Sequence, residues 1–402
     1  LLSFFLCFNH HTKEKNMRHL ENDSRTLESL LIDIKSHNDM KQDFIAPTNQ
    51  LQFKTIENDK GVKISQIIME ADRGEKTQIL NANQVCLDQI ANKIEIQAPT
   101  FRRLLNEVPE ETDAVVNALF EKNPVRRMIR TYDNPHALSP FNYDHHTGIA
   151  RAFVSDKFKT FDNSDLLESA LPTLGESGAS WKIVNYANSD KKLYIRLKSE
   201  VITADAGVND IMAHGIGISN SEVGFGSISV FGISWTLACT NGMQTENVTR
   251  KAHITSARTG DHYNILTDET KDADNHALKL QLRDIISSYG SRETFDENVE
   301  KIRLAKEDKI AVGKNYTEAV EDLGKVMSLS KKETSSVLDG LLNTIGQRGY
   351  EQGQPISKAT LVNACTNVGN TAEADNVDFW QKLGGKVLNL KSNDWNRVAL
   401  AS

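Results

Sequence analysis

The sequence predicts an α+β fold: a curved, mainly antiparallel sheet with flanking helices, followed by a helical C-terminal region. Three observations carry that expectation. Residues 215–243, GIGISNSEVGFGSISVFGISWTLACTNGM, are dominated by β-branched, aromatic, Gly and Ser residues, with Glu222 as their only carboxylate, in a chain that is 25% charged. Such a run reads as core strands joined by tight turns. From Val125 to Leu237 short extended segments follow one another with a single helical interruption. From about Thr267 onward the apolar spacing changes to that of helices. Strands followed by helices, rather than alternating with them, fit α+β architecture.

Along the chain, residues 24–37 predict a first helix, with Ser24 as N-cap and Leu27, Leu30, Leu31 and Ile34 on one face. Extended segments follow at 50–56 and 62–69, then a helix over 84–94. Pro99 and Pro109 each open a helix, since a first-turn position needs no N–H donor. Strands are expected at 125–132, 149–155, 179–186, 193–199, 211–219 and 228–237, with a helix at 164–174. Six helices are expected at 277–288, 295–306, 316–328, 332–345, 358–368 and 377–390.

Within 228–237, Ile228 and Val230 share one face, while Ile233, Trp235 and Leu237 fall out of step with them. Side chains alternate with a period of two, so a β-bulge or bend at Gly232 is predicted. Asn241-Gly242 supplies the residues of a tight hairpin turn.

Composition narrows the function. A chain of 402 residues allows two or three domains, and a net charge of −7 argues against a broadly basic, histone-like binder. The four cysteines, Cys7, Cys86, Cys239 and Cys365, form no CxxC pair, which fits a reducing cytoplasm, with neither a disulfide scaffold nor a zinc module. No apolar run approaches the length of a membrane span. Residues 1–16, before Met17, read as an upstream extension rather than a signal peptide. The expected organisation is 1–16 as extension, 17–260 as the sheet domain and 261–402 as helices packed on it.

Basic residues supply the main candidate site. Lys192, Tyr194, Arg196 and Lys198 alternate with Leu193, Ile195 and Leu197, so one strand presents cations and an aromatic ring on one face. Lys157, Lys159 and Phe161 repeat the mixture, and Lys122, Arg126, Arg127 and Arg130 form a run without an acid. Cations that neutralise phosphates beside rings that stack bases suit single-stranded nucleic acid; an ordinary wet sheet face would look alike. Arg126, Arg130, Arg151, Lys157, Lys159, Tyr194, Arg196 and Lys198 form the candidate set.

Other groups point more weakly to chemistry. His145-His146, beside Asp144, project to opposite sides of an extended segment, and His136, His253 and His262 lie at no ligand spacing, so no metal is expected. Cys239 with His214 could form a nucleophile and base, but both sit in apolar strand contexts. Glu222 could be a general base with a raised pKa, or could cap the turn from Asn220 to Gly224; the structural role is preferred. Asn220 and Asn241 read as turn formers. No Gly-rich stretch continues as a nucleotide-binding motif, so no cofactor is expected.

Ser219-Asn220-Ser221-Glu222-Val223-Gly224 and Cys239-Thr240-Asn241-Gly242 together resemble the phage- and plasmid-related "domain of unknown function 932" family. The run from Arg151 to Phe158 with Asp162-Asn163, and the segments TLVNACTNVG and LGGKVL, are similar to that family as well. A longer connection at 132–148 departs from its pattern. The resemblance implies a mobile-element setting and supplies no activity. The leading expectation is a non-enzymatic phage-type protein of DNA metabolism. It would bind single-stranded DNA in the host cytoplasm as a homo-oligomer and make no membrane contact. The alternatives are an enzyme centred on Glu222 or the 144–146 loop, and a structural or host-interaction protein.

Overall fold

A computed structural model describes residues 26–69, 78–133, 148–207, 211–236, 242–245, 267–346, 355–371 and 374–400. The predicted extension at 1–16 lies outside them.

Two sheets organise the chain, where the sequence suggested one. In the six-stranded sheet the order is β1 (Lys41–Pro47), β5 (Arg126–Tyr132), β6 (Gly148–Ser155), β4 (Gln78–Ala82), β3 (Lys63–Met69) and β2 (Leu51–Glu57). Its pairs are antiparallel except β4 with β6. Helices α2 (Gln84–Lys93), α3 (Ala98–Glu107) and α4 (Pro109–Lys122) supply Cys86, Ile90, Phe101, Val116 and Phe120 to a core with Phe53, Ile67, Ile129 and Phe153. Asn83 caps α2 by accepting the Cys86 N–H at 2.9 Å, and Pro99 and Pro109 stand in the first turns of α3 and α4 as expected.

The second sheet is an antiparallel meander of β7 (Trp181–Asn188), β8 (Leu193–Asp205), β9 (Ile211–Asn220), β10 (Ser229–Thr236) and β11 (Gly242–Thr245). One face places Leu193, Ile195, Leu197, Ile216, Ile218 and Val230 against α1 (Leu27–Asp39), α5 (Asn163–Glu176) and α6 (Asp268–Tyr289). The opposite face carries Tyr194, Ala213, Phe231, Ile233 and Trp235, also buried. The remaining helices are α7 (Arg292–Glu307), α8 (Tyr316–Met327), α9 (Lys331–Ile345), α10 (Lys358–Thr371), α11 (Ala374–Leu388) and α12 (Ser392–Ala399). Their core, with Phe295, Leu323, Leu341, Leu361, Trp380 and Trp395, is shared with Ala206, just after β8, and Met212 near the start of β9. No described helix is long and apolar enough to cross a membrane.

Burial on both faces of the meander explains the largest correction to the strand reading. β10 keeps unbroken register with β9 from Ser229 to Thr236, so the bulge predicted at Gly232 does not form. Val230 points to one core while Phe231, Ile233 and Trp235 point to the other, so both apolar sets are accommodated without a change of face. Register shifts fall instead at Arg130/Thr131, Ile183/Asn185 and Lys198/Thr203. Gly217 and Gly215 let the rings of Phe231 and Trp235 lie directly on the sheet, since a Cβ at either would collide with them. At the first helix, Thr26 is the N-cap rather than Ser24, and Leu27 and Leu31 are exposed rather than core. Strands β1, β4 and β11 and helix α12 were not anticipated. β1, KQDFIAP, lacks clean alternation and ends in proline, as an edge strand tolerates.

Candidate functional site

Arg151, Asp162, Asn163, Asn220 and Glu222, far apart in sequence, meet in one buried ionic cluster between the sheets. β1 and β5 pair so that Asp43 stands opposite Arg130. The Arg130 Nε donates to both Asp43 oxygens at 3.1 and 3.2 Å, Nη2 to Asp162 Oδ1 at 2.8 Å and Nη1 to the Glu222 carbonyl at 2.7 Å. From β6, Arg151 Nη1 donates to Glu222 Oε2 at 2.6 Å, and its guanidinium lies 4.8 Å from the Tyr132 ring centroid. Lys41 Nζ donates to Glu222 Oε1 at 2.6 Å and stands 3.3 Å from Asp162.

The turn after β9 is held to the start of α5 by further bonds. Asn163 N–H, in the first turn of α5, donates to Glu222 Oε1 at 2.6 Å, which sets a carboxylate at the positive end of that helix. Asn220 Nδ2 donates to the Phe161 carbonyl at 2.9 Å and to Asn163 Oδ1 at 3.0 Å. Gln89 Nε2 donates to the Val223 carbonyl at 2.6 Å, and Gly224 turns with φ +82°. Asn220 and Glu222 thus bridge to other elements. Glu222 does not cap its own turn, as one sequence reading had it, because the α5 N-terminus and two cations satisfy its oxygens.

Three cations face three carboxylates here, and the balance sets the protonation. Burial, then the neighbouring Asp162, pushes the Glu222 carboxyl up; Arg151, Lys41 and the Asn163 N–H outweigh them and hold it below its usual range. Asp162 is likewise held down, against burial, by Arg130 and Lys41. Glu222 is therefore a clamped anion, in keeping with a structural role and against the alternative of a base with a raised pKa. The adjoining cavity, lined by Tyr132, Arg151, Asn163, Asn188, Asp190 and Glu222, has a volume of about 10 Å³, room for roughly one water. Burial raises the Tyr132 hydroxyl to about 12. The arrangement locks two sheets together and leaves little space for a substrate.

The expected nucleic-acid residues separate into buried and exposed sets. Arg130 and Arg151, 1% and 3% exposed, are buried in the cluster, Arg130 through all three nitrogens and Arg151 through Nη1. Lys159 is buried against Asp274 at 2.6 Å. Tyr194 donates its hydroxyl to Gln381 Oε1 at 2.8 Å, and Arg196 is 1% exposed. The wet basic strand expected at 192–198 is thus a covered face, since β10 aromatics and α11 pack where solvent was assumed. Lys157 and Lys198 are half-buried, and Arg126 is exposed.

His214 lies between Trp181 and Phe295, ring centroids 5.3 and 5.0 Å away, and burial lowers its pKa to about 4. Its suggested partner Cys239, with Asn241 and the histidines at 136, 145, 146, 253 and 262, lies outside the described residues, as does Asp144. Among the described residues no cluster of His, Cys, Asp and Glu could hold a metal.

An exposed cationic group does exist at one end of the six-stranded sheet. Thr48 ties the end of α4 to the start of β5, accepting the Val125 N–H at 3.2 Å and donating to the Phe120 carbonyl at 3.0 Å. Lys122 and Arg126 are exposed there, and Arg127 is half-buried opposite Ser155 of β6. Lys93, exposed at the end of α2, has its pKa lowered by partial burial and then by Arg127. Lys93 was not found from sequence because it stands 33 positions before Arg126. Comparison with protein-family models, with curated proteins and with solved structures found no match to this chain.

Proposed function

We propose that the chain is a non-enzymatic, phage-type protein of DNA metabolism that binds single-stranded DNA through the cationic end of the six-stranded sheet. The observation that carries this reading is that Lys93, Lys122, Arg126 and Arg127 gather there, the first three exposed, with Lys93 near enough to Arg127 for the two cations to repel. Asp156 attracts Arg127 only at longer range and does not offset its partial burial. Two of the four close helices, where a cation also complements the helix dipole. Arg126 has no such role and is exposed. The resemblance of the SNSEVG and RAFVSD segments supports a mobile-element setting and, with it, action in the host cytoplasm; assembly as a homo-oligomer follows from the single-strand-binding reading itself.

Titrating the protein into labelled single-stranded and duplex DNA across several salt concentrations tests the reading. Binding that favours single strands, with log affinity falling linearly in log salt, supports it. No binding at low salt removes it.

A further inference from the structure

The second sheet buries a cation that the cluster does not use. Arg196 of β8 is 1% exposed, and no described carboxylate reaches it. Its Nε and Nη2 have no hydrogen-bond partner. That edge of a guanidinium presents two parallel N–H groups that match a carboxylate or phosphate. In Arg130 the same edge is filled, by Asp43 and Asp162; in Arg151 it is also unpartnered, but there Nη1 pairs with Glu222, and Arg196 has no carboxylate at all among the described residues.

Two more unpartnered groups share this face. Ser219 stands opposite Tyr194 in the β8–β9 register, and Arg196 opposite Gly217, so Ser219 and Arg196 point to the same side. Ser219 Oγ is buried without a partner. Gln381 of α11 accepts the Tyr194 hydroxyl through Oε1 at 2.8 Å, while its Nε2 is buried and unpartnered. All three groups can donate, and one carries a charge. Trp235 and Tyr194, with ring centroids 5.5 and 5.9 Å from the guanidinium carbon, offset part of that charge and donate nothing to the vacant edge. Leaving a buried charge and its donors unmatched is strongly destabilising. An acceptor bearing negative charge would satisfy them.

We propose that Arg196, Ser219 and Gln381 form an enclosed binding site for a small oxyanion of the phosphate class, between β8–β9 and α11. The neighbouring rings are already engaged, Phe231 stacked on Tyr194 at 5.9 Å and lying on Gly217. The site therefore takes the anionic group alone, without stacking a base. It lies on the sheet opposite to the proposed DNA surface and is independent of it.

Calorimetric titration of the full chain with inorganic phosphate, in 0.5 M sodium chloride to suppress surface contacts, tests the proposal. The expected result is one phosphate per chain, with binding lost in Arg196→Met and weakened about tenfold in Gln381→Met and in Ser219→Ala. The two milder variants keep the test open should Arg196→Met fail to fold. Adenosine monophosphate in a second arm should bind no more tightly than phosphate. Absence of phosphate binding, unchanged binding in the variants, or binding of the nucleotide alone overturns the proposal. DNA affinity at low salt should be the same in wild type and Gln381→Met, so failure here is distinguishable from failure of the DNA reading.

Discussion

Arg151 and Glu222 meet at 2.6 Å with side chains 4% and 6% exposed, joining β6 of one sheet to the turn that leaves β9 of the other. The pair is completed by Lys41 and the Asn163 N–H on the second carboxylate oxygen. Removing one member of a buried ionic set strands the others in a poorly solvating interior. Glu222→Ala should therefore destabilise the chain by about 3–5 kcal/mol, and Glu222→Gln, which keeps an acceptor for Asn163, by less. Urea unfolding of the two variants checks the order. Equal and small losses would mean that the cluster does not hold the sheets.

Acid should weaken the fold in two stages. Glu222 and Asp162 have folded pKa values below their ordinary 4.5 and 3.8. Their stabilisation is fully present above those ordinary values and is lost as pH falls through the lower, folded ones. His214 acts earlier: its pKa drops from 6.5 to about 4 on folding, so the unfolded chain takes up this proton first and stability declines as pH falls between those values. Melting temperature followed from pH 7 downward should fall in both windows. His214→Phe should make the upper one shallower without abolishing it, since burial lowers His37 as well, and should leave the lower one unchanged.

The aromatic rings on Gly217 and Gly215 make those positions intolerant of any side chain. A Cβ at Gly217 would overlap Phe231, and one at Gly215 would overlap Trp235 and stand 2.7 Å from the Leu197 carbonyl. Gly217→Ala should cost about 1–3 kcal/mol, and adding Phe231→Leu should recover part of it through a favourable coupling. Additive losses in thermal unfolding would place the ring elsewhere.

Much of the secondary structure was legible because it rests on local signals. Pro99 and Pro109 mark helix starts, and Ile195, Leu197, Ile216 and Ile218 alternate as strand residues should. Sheet count and exposure were not legible, because they depend on partners distant in the chain. Arg196 alternates with aliphatic residues just as a wet cation would, and only the packing of Trp235 and Gln381 shows that its face is covered. The same reason hid the cluster: Asp43 and Lys41 sit in an edge strand without a sequence signal, and their partners lie on β5, on α5 and after β9. Glu222 stood out as the single acid of an apolar segment. Its partners, and hence its lowered pKa, followed from tertiary placement alone.

The central proposal is that the cations divide into a buried set that locks the fold and a more exposed set, around the start of β5, proposed to meet DNA. The most direct measurement is the salt-dependent affinity of Arg126→Glu/Arg127→Glu for labelled single-stranded DNA, beside wild type and the surface control Lys332→Glu. The account predicts at least a tenfold loss for the double variant, with the log–log salt slope shallower by about 1.4 for two phosphate contacts, and no change for the control. Unchanged affinity in the double variant, or an equal loss in Lys332→Glu, would contradict it.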